Sequence, residues 1–131
     1  MFFLLNPGAG NAKHDLVEYS AGSGMVSLQN LIAGFNGVGL DKIYDRSQDN
    51  STGPGLRLWI NELSLTKLGA LGWFGTQCSS FTALCKNQSQ RWAENSFLGD
   101  ESKEFVKTGN MQMTITALLM LVSFLVENVA V

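Results

Sequence analysis

Histidine is almost missing from this chain and charge is scarce. Of its 131 residues, nine are Lys or Arg, eleven are Asp or Glu and one is His, giving a net charge of −2. The single histidine, His14, reads as a solvated leader residue. It cannot supply a bis-His haem site or a His-based metal cluster, and no Ser/His/Asp or Cys/His arrangement can be assembled around it. The two cysteines, Cys78 and Cys85, share one apolar run. On a helix they would stand roughly 10 Å apart along the axis, too far for a disulfide, and they match no redox or zinc spacing. They read as small buried hydrophobes. The basic residues are scattered, so the chain lacks an electrostatic footprint for nucleic acid. The opening MFFLLNPGAG has too short an apolar stretch and no basic segment for a secretory signal. These absences leave little support for catalysis or for a small-molecule substrate.

Where charge is missing altogether, the runs are long. Residues 68–85, LGALGWFGTQCSSFTALC, and 108–126, TGNMQMTITALLMLVSFLV, carry no charged side chain and are bounded by Lys67, Lys86, Lys107 and Glu127. A bilayer core needs roughly 17 to 25 such residues in a helix. The expectation is therefore an all-α membrane protein, a hairpin of two transmembrane helices with spans at about 66–85 and 109–127. The second run is dense in long apolar residues. The first is more polar, and Gly69, Gly72 and Gly75 at spacings of three open a groove for close approach. A third run, residues 19–40, is richer in Gly and polar residues. Its Met25, Leu28, Leu31, Ile32 and Phe35 fall on one helical face, which predicts an amphipathic helix over about 24–36 or a third helix.

This divides the chain into an irregular N-terminal region, 1–56, and a hairpin, 57–131. Trp59 and Trp73 are expected near the membrane interface. Lys86, Arg91, Lys103 and Lys107 bias the connecting loop toward the cytoplasmic, matrix or stromal side. Asn50-Ser-Thr and Asn87-Gln-Ser read as glycosylation sequons, at a number that chance would supply.

The entries to the two runs resemble the signature helices of the light-harvesting chlorophyll-binding family. In the first, Glu62-Leu-Ser-Leu-Thr-Lys67-Leu-Gly69-Ala-Leu-Gly72 matches a family Glu, a basic residue five positions on and two small positions. In the second, Lys107, Gly109 and Met113 match. The sequence departs from the family where Asn110 replaces an Arg and Phe105 replaces a Glu, so the reciprocal ion pairs cannot both form. The resemblance implies seats for chlorophyll and carotenoid, with Glu62, Gln77, Asn110 and Gln112 as magnesium ligands or hydrogen-bond donors to pigment.

Together these readings predict a non-catalytic accessory subunit of a photosystem or photosystem–antenna complex in the plastid thylakoid membrane. Its partners would be the other subunits and the bilayer. The same hairpin without pigment describes a supernumerary subunit of a respiratory complex in the mitochondrial inner membrane. A small glycosylated surface or regulatory membrane protein is the third alternative.

Overall fold

The segment HDLVEY has the β-branched and aromatic content of a strand, and in the computed structural model it forms one, β1 (His14–Tyr19). The structure describes residues 11–76 and 79–129. A glycine turn leads from β1 into helix α1 (Met25–Ile32), and the chain returns as β2 (Gly37–Leu40), parallel to β1. Helix α2 (Gly53–Ser64) follows, its amino end capped where the Thr52 hydroxyl accepts from the Gly55 amide and Pro54 fills the first turn. Both are common starts for a helix. Strand β3 (Thr66–Phe74) then pairs parallel to β1 on the side away from β2, giving a three-stranded sheet in the order β2-β1-β3.

This architecture overturns the expected all-α hairpin. The protein is a mixed α/β chain with a parallel sheet, and the first expected span is a strand and a series of short turns. The physical reason lies in its composition. Each Gly in a helix costs about 1 kcal/mol relative to Ala, so Gly69, Gly72 and Gly75 together oppose a helix there. Thr66, Trp73 and Phe74 favour a strand, and Gly69 takes φ +76°, a value outside any right-handed helix. The absence of charge does not mark burial here: β3 is an edge strand, with Leu68, Leu71 and Trp73 exposed.

Two compact units emerge. Among the described residues, the first comprises 11–75 together with 118–129, and the second comprises 76 and 79–117. In the first unit, Leu16, Val17, Tyr19, Leu40, Trp59, Leu63 and Leu119 are buried. Tyr19 stacks on Phe74 with ring centroids 4.8 Å apart and tilts against Trp59 at 5.3 Å. The Trp59 indole N–H donates to the Gln48 carbonyl at 2.9 Å, so this residue is a core anchor, not an interface one. Its spacing of four from Gly55 and Leu63 gives α2 its buried face.

The second unit is organised around Arg91, 5% exposed. Its guanidinium donates to the carbonyls of Ser80, Phe97, Leu98 and Val106 and to the Ser80 hydroxyl. It also lies 3.7 Å from the centre of the Phe81 ring. Short helix α3 (Lys86–Ser89) and several tight turns surround it. Helix α4 (Glu104–Val129) begins in this unit and continues into the first. It is the helix expected near the second charge-free run, and it is long and apolar enough to cross a membrane. Asn50 is buried, which withdraws the first sequon from the folded surface.

Candidate functional site

His14 does not belong to an irregular leader. It opens β1, and its Nε2 lies 2.9 Å from a Glu62 carboxylate oxygen. Glu62 therefore sits at the amino end of the sheet, tying α2 to β1. Beside it Lys67 donates to both oxygens of Asp15 at 2.9 and 3.0 Å. That bond holds the Asp15 carboxyl below the usual carboxylate range. An open groove of about 440 Å³ lies next to this pair, lined among others by Lys13, His14, Asn36 and Lys67.

The other expected site residues do not join Glu62. Asn110 belongs to the second unit, where its amide donates to the Leu98 carbonyl at 3.0 Å and to Glu101 at 2.8 Å. Gln112 lies on α4 in the same unit. Gln77 and Cys78 lie outside the described residues. The resemblance to antenna helices requires a facing helix pair to seat pigment, and a strand and one helix stand in its place. Among the described residues, no group of three or more His, Cys, Asp or Glu side chains could hold a metal ion.

At the carboxyl ends of the strands the residues converge differently. From β1 the chain passes to β2 on one side, while β3 joins β1 on the other. The connections thus diverge between β1 and β3, and in open parallel sheets such a switch point is where ligands bind. Two backbones meet there. The Gly75 amide donates to the Tyr19 carbonyl at 2.8 Å, and a Cβ on Gly75 would stand 2.6 Å from the Ser20 carbonyl oxygen, so only glycine fits.

The turn Ser20-Ala21-Gly22-Ser23-Gly24 leaves β1 at this point and opens α1. Ser20, Gly22 and Gly24 all have positive φ. The Ala21 amide donates to the Leu40 carbonyl, and the Gly24 amide donates to the Ala21 carbonyl. Nineteen residues past Gly22, at the end of β2, stands Asp41. One carboxylate oxygen accepts from the Gly22 amide at 2.9 Å and the other from the Ile43 amide at 3.0 Å. A Gly-x-Gly turn between a strand and a helix, followed about 20 residues later by an acid ending the next parallel strand, is the arrangement that places a carboxylate on a ribose hydroxyl.

One feature separates this turn from a phosphate cradle. Glu18, 3% exposed, accepts from the Ser27 amide at 2.7 Å, in the first turn of α1. The positive end of the helix, where a phosphate would dock, already holds a carboxylate. Among the described residues no Lys, Arg or His bonds to Glu18 or Asp41. Ser27 is also the small residue that lets α1 approach β2, its hydroxyl 3.2 Å from the position a Cβ on Gly39 would take.

No protein-family model, curated protein or solved structure matches the chain. The glycine turn is thus identified by its geometry alone. Its signal was present in the sequence: a β-type run, then Gly22-Ser-Gly24, then a helical apolar pattern and Asp41. Counting 19–40 as one charge-free run hid it, because the strand, turn and helix were merged into a single window.

Proposed function

We propose that the first unit binds an adenosyl-type nucleoside whose 5′ substituent is cationic, the chemistry of a sulfonium methyl donor such as S-adenosylmethionine. The observation that carries this reading is the Asp41 carboxylate bonded across the Gly22 amide at the carboxyl ends of β1 and β2. Asp41 Oδ1 and Oδ2 each keep a further lone pair for a ribose hydroxyl. Glu18 supports the cationic tail over a phosphorylated one. A phosphate charge about 5 Å from that carboxylate would cost about 3 kcal/mol at an effective dielectric of 20, whereas a sulfonium or ammonium group would gain a similar amount.

A methyl donor implies methyl transfer to an acceptor, so this reading departs from a non-catalytic subunit. Titration calorimetry tests it. Binding of S-adenosylmethionine at micromolar concentration is expected, with NAD bound at least tenfold more weakly. Asp41→Ala should lower affinity at least tenfold. Equal affinity for the two nucleotides would remove the role given to Glu18, and no binding of either would sink the nucleoside reading.

Helix α4 favours a second reading, attachment to a membrane. Only 22% of its apolar window is buried, and Leu118, Met120, Leu121, Phe124 and Leu125 are exposed. An accessory subunit in a thylakoid or mitochondrial inner membrane would now rest on this one helix. Flotation of the full chain with neutral phosphatidylcholine vesicles would support attachment; recovery in the soluble fraction would exclude it.

A further inference from the structure

The geometry points to Tyr44 as a gate over the glycine turn, an inference that rests on the nucleoside site proposed above. Gly-x-Gly turns carry their second glycine so that a ligand can reach the backbone. Here that space is filled. A Cβ on Gly24 would lie 2.7 Å from the Tyr44 hydroxyl oxygen and 3.7 Å from Cζ, and the ring edge lies 3.6 Å from the same point on Gly39. With the ring in place no side chain larger than hydrogen fits at position 24, and the ring covers the side of the backbone that a Cβ would occupy.

The local structure shows how the ring comes to lie there and why it can leave. The Asp41 carboxylate accepts from the Ile43 amide, and the Tyr44 amide donates to the Asp41 carbonyl at 3.0 Å. This tight turn folds the Tyr44 ring back toward the residue that would hold the ribose. Tyr44 is 48% exposed. No hydrogen bond from its hydroxyl is present among the described residues; the ring rests on Gly24 and Gly39 with the Glu18 and Asp41 carboxylates near its hydroxyl. Rotation of an exposed side chain takes picoseconds to nanoseconds. The ring moves off the turn to admit the nucleoside and returns to cover it.

Surface plasmon resonance on the immobilised full chain, with S-adenosylmethionine as the probe, tests the gate. A site open about one tenth of the time associates about tenfold more slowly than an open one. Tyr44→Ala should therefore raise the association rate constant about tenfold and also speed dissociation, because the cover is lost. Tyr44→Phe removes the atom nearest Gly24 but keeps the ring, and should give an intermediate rise of about threefold. That conservative variant preserves the test if the alanine variant folds poorly. Association constants within twofold of each other in the three proteins, with binding intact, would overturn the gate and leave the site standing. Absence of binding in all three would overturn the site and the gate together.

Discussion

Replacing Arg91 with Lys should strongly destabilise the second unit while leaving the sheet intact. The guanidinium makes five hydrogen bonds, four to backbone carbonyls and one to the Ser80 hydroxyl, and stacks on Phe81. Among the described residues no ion pair is formed by it, and burial pulls its pKa down from the ordinary arginine value. The carbonyls therefore take the place of a paired carboxylate, with the Glu101 charge acting from nearby. Lysine offers three donors on a point charge and no flat fork, so most of these acceptors would lose their partner. A hydrogen bond to a charged group contributes about 1.5–3 kcal/mol, and a buried acceptor left alone costs about 1–3 kcal/mol. With two or three bonds lost, some relaxation toward water and the ring contact weakened, the expected loss is about 3–5 kcal/mol, comparable with breaking a buried pair. That is a large part of the 5–15 kcal/mol typical of a whole domain. Hydrogen exchange read by mass spectrometry separates the two units. Amides in 79–110 should lose protection in Arg91→Lys, while those of β1 keep theirs. A loss under about 1 kcal/mol, or equal loss of protection in β1, would refute the assignment of Arg91 as the centre of this unit.

Other perturbations follow from both units. Tyr19 is 1% exposed and its hydroxyl is buried without a hydrogen-bond partner, so burial, with Glu62 adding to it, raises its pKa. Tyr19→Phe should be neutral or stabilise by up to about 1 kcal/mol, and a loss of stability of about 1 kcal/mol or more in urea denaturation would contradict the orphaned hydroxyl. Leu119→Ala should cost about 2–5 kcal/mol by urea denaturation, because this residue is 1% exposed; a value near zero would remove it from the core. Asp15, Asp45, Asp49 and Asp100 all have lowered folded pKa values, held down by Lys67 and by the Ser47, Ser51 and Ser102 hydrogen bonds respectively. Below about pH 4 the unfolded chain binds these protons first, so stability present at neutral pH falls as pH drops through the folded values. Denaturation midpoints should thus be flat from about pH 7 to about 5 and decline below about 4; a rise on acidification would contradict these carboxylate contacts.

Which parts of this molecule could be read in the linear chain depends on how local their physics is. Helix α4 was legible because an unbroken run of long apolar residues carries its own helical preference. The cap at Thr52 and Pro54 is likewise local. The first charge-free run is not a helix because absence of charge specifies no backbone conformation, and its strand lies largely exposed at a sheet edge. Its three glycines argue against a helix, yet the strand exists only through pairing with β1, some fifty residues earlier. His14 and Glu62 looked unrelated for the same reason: parallel pairing of β1 and β3 brings their elements together. The site at the strand ends had a local signature in Gly22-Ser-Gly24, but the distant Asp41 acquires meaning only once β2 lies beside β1.

The sequence by itself determined the long apolar helix, because its helical preference depends on neighbours a few positions away. Only the tertiary structure decided that Arg91 is solvated by carbonyls, that Glu18 takes the helix end a phosphate would need, and that Asp41 and Tyr44 close over one glycine turn. The contacts of Asp41 and Tyr44 come from strand order and parallel register, which set β2 beside β1, while the Arg91 contacts come from the packing of turns in the second unit.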